Sequence, residues 1–272
     1  MPISYLCPLC ANVLFPQEKS YCCDNKHTFD LAKEGYVNLL PVQFKQSKNP
    51  GDNKAMVNAR RDFLEKGYYQ PLAEKLVSLY DKFAKKTAVM LDAGCGEGFY
   101  THQHKNDNNQ IFGIDIAKEA VKKAAKKYKT CQFSVGTLSH LPFAEQTIDW
   151  ILSIYAPILE EEFTRVLAEQ GYLLTVTPGK NHLTQLKQLI YREAKAHDET
   201  KEPITGLSLV HQENLNYQMT LAKGLDTYNL LMMTPFAFKA TEQVLETIKS
   251  VDNFQCEADF LIRVYQKTEK DN

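Results

Sequence analysis

The chain has 272 residues, 44% of them hydrophobic and 24% charged, the proportions of an ordinary globular protein with length enough for a real core. A formal net charge of −1 argues against a wholesale polyanion binder and leaves room for a local basic face. No apolar run approaches the ~20 residues that span a bilayer, the opening Met-Pro-Ile-Ser-Tyr-Leu-Cys lacks the basic and apolar regions of a secretory signal, and seven cysteines, two of them adjacent, suggest reduced thiols and metal ligation in place of a disulfide framework. A cytoplasmic location is expected, with no membrane partner.

The first element is a cysteine ribbon. Cys7-Pro8-Leu9-Cys10 and Cys23-Asp24-Asn25-Lys26-His27 give the spacing Cys-x2-Cys-x12-Cys-x3-His. Cys7, Cys10, Cys23 and His27 then supply the four thiolate and imidazole ligands of a closed tetrahedral zinc site, which is structural and not catalytic. Cys22 competes with Cys23 for the third position. Neighbours on a strand point to opposite sides, so only one faces the metal, and Cys23 with His27 makes the more compact ribbon. Without zinc, a segment this small buries too little core to fold.

Residues 28–41 carry too many large apolar side chains for a loose linker and are expected to pack on the ribbon, giving a zinc-binding module over residues 1–42. Residues 43–70 read as a linker and helix. The stretch 43–53 is polar and contains Pro50-Gly51, and Asp52 or Asn53 is placed to cap a helix over 54–66. Lys45, Lys48, Lys54, Arg60 and Arg61 form either a phosphate-contacting strip or an ordinary solvated face.

From residue 71 to 272 strands and helices alternate. The pattern predicts helix 71–84, strand 88–92, helix 99–106, strand 111–115, helix 117–128, strands 132–135 and 148–153, helix 159–168 and strand 172–177. A helix near 182–196 and a last strand over 254–265 follow. This is the doubly wound α/β pattern of a Rossmann-like domain, whose ligand site lies at the carboxyl ends of the strands. Helix 117–128 turns Ala117, Ala120, Val121, Ala124, Ala125 and Tyr128 inward and covers its outer face with Lys118, Lys122, Lys123, Lys126 and Lys127, a solvated or RNA-facing surface.

The strongest functional signal is Asp92-Ala93-Gly94-Cys95-Gly96-Glu97-Gly98, directly after the first strand. An acid at the strand tip followed by Gly94, Gly96 and Gly98 lets a nucleoside cofactor lie against bare backbone. Asp115 closes the next strand, where a carboxylate takes both ribose hydroxyls. The spacing Gly-x-Gly-x-Gly, unlike Gly-x-Gly-x-x-Gly, favours S-adenosylmethionine over a dinucleotide, because no pyrophosphate needs a cradle. Tyr155, in the tip Ile154-Tyr155-Ala156-Pro157, either stacks on a substrate base or belongs to the core. Leu141-Pro142-Phe143 is expected to close the adenine pocket, and His182 follows the tip Thr177-Pro178-Gly179, near the cofactor.

With these residues in view, the chain resembles the bacterial 23S rRNA (guanine-N1)-methyltransferases, RNA large-subunit methyltransferase A and its relatives. The resemblance runs over essentially the whole length. Its marks are Cys7-Pro8-Leu9-Cys10, Cys23 with His27, Phe29-Asp30, the 33–41 block with Ala32 before it, Pro50-Gly51-Asp52, Ala59-Arg60-Arg61, Tyr69-Gln70-Pro71-Leu72, the 91–98 loop, the tips holding Tyr155 and Pro178, and Met233-Thr234-Pro235-Phe236. The 33–41 block is the specific one, since methyltransferases in general lack it. The extra Cys22 departs from the family pattern.

The resemblance implies a class I S-adenosylmethionine-dependent methyltransferase fold behind an N-terminal zinc ribbon, with zinc on Cys7, Cys10, Cys23 and His27. It implies cofactor contacts from Tyr69, Gly96, Glu97 and His182, beside Asp92, Gly94, Gly98 and Asp115 of the loop and ribose positions. It also implies a homodimer whose zinc modules help hold a 23S rRNA hairpin, and no DNA partner. The expected reaction is methyl transfer to N1 of a guanine. N1 carries a proton and lies on the pairing edge, so the base must be unpaired or flipped and the proton must leave. No general base identifies itself; Tyr155 and Tyr69 are candidate stacking partners. The alternatives are a small-molecule methyltransferase, for example of a quinone, in which a zinc ribbon is superfluous, and a macrolide-resistance relative acting on a neighbouring guanine. A non-enzymatic RNA-binding protein with a vestigial cofactor fold is argued against by the intact loop and Asp115.

Overall fold

The computed structural model describes residues 3–44, 51, 53–191 and 203–268. Lys45, Lys48 and Asp52 lie outside the described residues. Among the described residues there are two sheets. Phe15–Pro16 (β1), Ser20–Cys22 (β2) and Thr28–Asp30 (β3) form a three-stranded antiparallel ribbon. The strand Tyr36–Asn38 (β4) lies in the stretch expected to pack on the ribbon; Val37 and Leu39 share an apolar cluster with Cys7, Leu14 and Cys23, and the strand also pairs in parallel with Gln132–Val135 (β7) at the edge of the main sheet.

Asn53 caps the first helix, Lys54–Glu65 (α1), its side chain accepting the Met56 N–H at 3.0 Å. Pro71 opens the second helix, Gln70–Phe83 (α2), at a position where no intrahelical N–H is needed. The apolar runs that follow become Val89–Ala93 (β5), Gln110–Asp115 (β6), Ile148–Ile154 (β8) and Leu167–Pro178 (β9), separated by Phe99–Gln103 (α3), Lys118–Lys127 (α4) and Glu160–Val166 (α5). Thr184–Gln188 (α6), Leu207–Leu221 (β10), Gly224–Met232 (α7), a 3₁₀ turn at Pro235–Lys239, Glu242–Ser250 (α8) and Phe254–Lys267 (β11) complete the described chain.

The eight strands run in the order β10-β11-β9-β8-β5-β6-β7-β4. Those from β9 to β4 are parallel, and β11 and β10 are antiparallel additions beside β9. Leu91, Ile111, Phe112, Ile151 and Leu174 are all buried, as expected of strands covered on both faces. The ribbon supplies part of one cover. Tyr5 meets Phe112 at 5.2 Å and Phe143 at 5.5 Å between ring centres, and the Leu6 N–H donates to the Pro142 carbonyl at 2.8 Å. Leu141-Pro142-Phe143, expected to close an adenine pocket, therefore lies under the ribbon and does not line the cleft at the strand tips, which Leu138 lines instead.

Several expected boundaries move for local reasons. The helix expected over 99–106 stops at Gln103, because Asn106 turns the chain by accepting the N–H groups of Asn108 and Asn109 at 2.8 and 2.9 Å. The strand expected from 172 begins at Leu167, immediately after α5. His182 precedes its helix, because Leu183 adopts a left-handed backbone with φ 55°. On α4, Ala120, Val121, Ala124 and Ala125 are buried as expected. Much of its lysine face is taken up by the protein itself: Lys122 lies 3.9 Å from Glu34, Lys127 lies 2.7 Å from Glu65, and Lys123 bonds to Asn58.

A buried carboxylate pins the α1–α2 turn to α7. Asp226, 1% exposed, accepts from Lys66, from the Tyr68 hydroxyl at 2.8 Å and from the Lys223 N–H at 3.1 Å. Burial alone would raise its pKa, but the bonds from Lys66 and Tyr68 hold it below the usual carboxylate value. Asp226→Ala is expected to cost roughly 2 kcal/mol of unfolding free energy in urea titration. A folded pKa below the unfolded one stabilises above the unfolded value and is lost as pH falls through the folded one. The gap between variant and wild type should therefore narrow as pH drops into the carboxylate range.

Candidate functional site

Two sites can be built from the residues upward. In the ribbon, the ligand atoms of Cys7, Cys10, Cys23 and His27 all lie within 4.8 Å of one another. Cys7 Sγ is 3.5 Å and Cys23 Sγ 3.6 Å from His27 Nδ1, and Cys10 Sγ is 3.7 Å from Cys23 Sγ. Zinc bonds of about 2.3 Å to sulfur and 2.0 Å to nitrogen at tetrahedral angles require edges of roughly 3.5–3.8 Å, so this donor set fits a closed zinc site. Cys22 points away: its thiol donates to the Cys23 carbonyl at 3.4 Å and accepts from the Thr28 hydroxyl at 3.7 Å. The Asn12 N–H lowers the Cys10 thiol to about 6, whereas burial raises Cys7 to about 11.

The second site is a cleft of about 740 Å³ at the carboxyl ends of the parallel strands. Tyr69, Asp92, Gly94, Gly96, Glu97, Asp115, Tyr155 and His182 all line it. Gly98 does not. It sits beneath the cleft with φ 82°, where a Cβ would stand 3.0 Å from Ala124, Tyr128 and Phe133, so it permits the loop to pack on α4 and β7. Gly94 and Gly96 also have positive φ and leave their backbone bare toward the cleft. Asp115 accepts the Gly96 N–H at 2.9 Å on one oxygen and the Ala117 N–H at 2.7 Å on the other.

Two carboxyls in this wall are held far from water. Asp92, 2% exposed, is pushed up to about 7 by burial, against the Thr101 hydroxyl that donates to it at 2.6 Å. Glu97, 3% exposed, is pushed up to about 7 by burial, against Lys127 and Arg61, and its Oε1 has no hydrogen-bond partner among the described residues. Across the cleft, Tyr69 packs edge-on against Phe63 and Phe260 at 5.0 Å each. His182 Nδ1 accepts the Asp259 N–H at 3.2 Å and its Nε2 lies 3.2 Å from the Tyr155 hydroxyl.

The sequence reading missed part of this wall. Arg60, read as part of a phosphate strip, lines the cleft with its guanidinium 3.9 Å from the position a Cβ on Gly96 would take. Phe236 and Phe238 line it from the 3₁₀ turn, and Asp259 orients His182 from β11. Arg60 and Phe236 had local signals, the Ala59-Arg60-Arg61 and Met233-Thr234-Pro235-Phe236 motifs. The others depend on long-range packing.

Together the doubly wound sheet, the glycine loop and the closed cysteine–histidine cluster define a class I S-adenosylmethionine-dependent methyltransferase with a structural zinc ribbon. The family model described as "RlmA, N-terminal" matches residues 5–48, and a methyltransferase-domain model matches residues 84–224. The chain belongs to the 23S rRNA (guanine-N1)-methyltransferase family. It is 30% identical over 277 aligned residues to the "Putative 23S rRNA (guanine-N(1)-)-methyltransferase YxjB" of Bacillus subtilis (strain 168), with 95% of this chain and 96% of that protein covered. It is 34% identical to the 23S rRNA (guanine(748)-N(1))-methyltransferase of Streptomyces fradiae, covering 68% of this chain and 67% of that protein. Among the described residues, no helix is long and apolar enough to cross a membrane.

Metal analysis should separate the adjacent thiols: Cys22→Ser retains full zinc content and Cys23→Ser loses it. Titration should also single out Glu97. A folded pKa near 7 above an unfolded one near 4.5 lowers stability as pH rises through that window. Glu97→Gln is therefore expected to be more stable than wild type at pH 8, by on the order of 3 kcal/mol, with no advantage at pH 4. Denaturant titrations at the two pH values read the difference directly.

Proposed function

We propose that this chain transfers a methyl group from S-adenosylmethionine to N1 of a guanine in a 23S rRNA hairpin. The observation that carries the reading is the coexistence of a cleft at the strand tips and a four-ligand cysteine–histidine cluster, in a chain similar over 95% of its length to a relative named for this reaction. A homodimer acting on rRNA in the cytoplasm is part of the same proposal.

Asp115 takes the ribose hydroxyls, with Gly94 and Gly96 beneath the nucleoside and Ile116 and Leu138 beside the adenine. Tyr69, Asp92 and Glu97 hold the amino-acid and sulfonium end, with His182 lining the cleft beside them. Two carboxyls kept near neutrality by burial suit a ligand that brings positive charge, since its arrival favours their ionised form. The cofactor supplies an electrophilic methyl group; the chain supplies alignment and excludes water. Tyr155, 46% exposed at the β8 tip, faces the acceptor base through its ring or its hydroxyl.

Labelled S-adenosylmethionine with unmodified 23S rRNA, followed by nucleoside mass spectrometry, should yield 1-methylguanosine. Any other methylated nucleoside would reject the reading. Asp115→Ala is expected to weaken cofactor binding in calorimetry by roughly a hundredfold, the loss of two hydrogen bonds to a charged group. Unchanged affinity would remove the ribose assignment.

A further inference from the structure

The tip of β8 carries a backbone conformation that its residue disfavours. Tyr155 has φ 54°, in the left-handed region that costs a non-glycine residue roughly 1–2 kcal/mol. Hydrogen bonds on both sides hold it there. Its N–H donates to the Val176 carbonyl at 3.0 Å, and its hydroxyl lies 3.2 Å from Nε2 of His182. His182 is 5% exposed, and its Nδ1 accepts the backbone N–H of Asp259 at 3.2 Å. A ring nitrogen that accepts an N–H carries no proton, so the neutral imidazole keeps its hydrogen on Nε2. That N–H donates to the Tyr155 oxygen, and the phenol hydrogen is left to donate into the cleft that Tyr155 lines.

The ionisable groups around this hydroxyl are Tyr69, Tyr100, Tyr217, His182 and Asp259. Although the residue as a whole is 46% exposed, desolvation raises the phenol above its usual pKa, and Tyr100, Tyr217 and Asp259 push the same way. Tyr155 is therefore a protonated donor across the neutral range.

We infer that Tyr155 is a catalytic residue that donates its hydroxyl hydrogen to O6 of the target guanine, with His182 and Asp259 as positioning residues behind it. The inference rests on the guanine-N1 reading above. Of the two groups that flank N1, O6 accepts hydrogen bonds and the N2 amino group donates them, so a hydroxyl that accepts from His182 and has its hydrogen free to donate matches O6. Adenine presents an amino group in place of O6 and offers this donor no acceptor. In the reaction N1 gives its proton to water and uses its electron pair to bond the methyl carbon, while the carbon–sulfur bond breaks with its pair returning to sulfur. The charge on the deprotonated ring is shared with O6. A donor fixed beside O6 binds that state more strongly than the neutral base, which is the condition for accelerating the step.

Tyr155→Phe keeps the ring and removes only the hydroxyl. In the full-length protein acting on 23S rRNA it should lower kcat roughly a hundredfold, the scale of losing one preorganised donor to a developing oxyanion. Cofactor Kd by calorimetry should not change, and the rate should go on rising with pH beyond the point where the wild type levels off. Tyr155→Ala should be at least as slow. A wild-type rate for Tyr155→Phe beside a slow Tyr155→Ala would make the ring a stacking platform and overturn the assignment. A weaker cofactor Kd that accounts for the whole loss would place Tyr155 in the cofactor site and overturn it too. The wild-type product is read first: without 1-methylguanosine the guanine-N1 reading falls and takes this inference with it, whereas 1-methylguanosine with an unimpaired Tyr155→Phe rejects the O6 contact alone.

Discussion

Backbone N–H groups of the loop after β5 converge on the tip of β6. Gly94 and Cys95 donate to the Ile114 carbonyl at 2.9 and 3.0 Å, and Gly96 donates to the Asp115 carboxylate at 2.9 Å. The loop can fold back this tightly because Gly94, Gly96 and Gly98 all take positive φ, which is cheap without a Cβ. A Cβ on Gly94 would stand 2.7 Å from that of Ala156, so the β8 tip can lie against the loop only while residue 94 is glycine. The positions of Asp115, Tyr155 and the floor of the cleft all follow from this one closure.

The zinc cluster works on the same sheet from another side. Its ribbon is small, yet Tyr5 and Leu14 are buried in the apolar cluster that contains Phe112, Ile114 and Ile151 of the central strands. The chain leaving the ribbon becomes β4, the edge strand beside β7. Metal ligation, through the fold of residues 7–27, therefore shields apolar surface on the sheet and helps order its edge, which would otherwise offer unpaired backbone groups. This explains how a metal with no open coordination position can matter to a cleft built elsewhere on the sheet.

The parallel core was legible because its strands are short apolar runs ending in acids and glycines, and its helices show an alanine stripe under lysines, as on α4. The Cys-x2-Cys and Cys-x3-His spacing located the metal ligands for the same reason: the chemistry is local. What stayed hidden was set by distance. β4 is three residues long and exists only because β7 pairs with it. β10 does alternate, through Leu207, Leu209, Leu215, Tyr217, Met219 and Leu221, but His211 and Glu213 interrupt the inward series where Lys75 of α2 pairs with Glu213 at 3.3 Å. Asp259 carries no motif at all; it reaches His182 because the register of β11 against β9 sets Phe260 opposite Pro178.

The cleft divides along the same line. Its glycine-loop side, from Asp92 to Leu138, falls within the stretch matched as a general methyltransferase domain, residues 84–224. Arg60, Tyr69, Phe236 and Phe238 line the cleft from outside that stretch, and Asp259, also outside it, sets the ring of His182. Segments on both sides of the shared domain are held together across the molecule by Lys66 and Tyr68 on Asp226, and the Tyr217 hydroxyl ties the domain itself to the Tyr68 carbonyl at 2.8 Å. A fold that keeps one cofactor site and changes acceptors can do so by altering what frames that site. The residues most specific to this chain's reaction should therefore be sought on α1 and the 3₁₀ turn, which line the cleft opposite the glycine loop, and on β11, whose Phe260 packs near Tyr155.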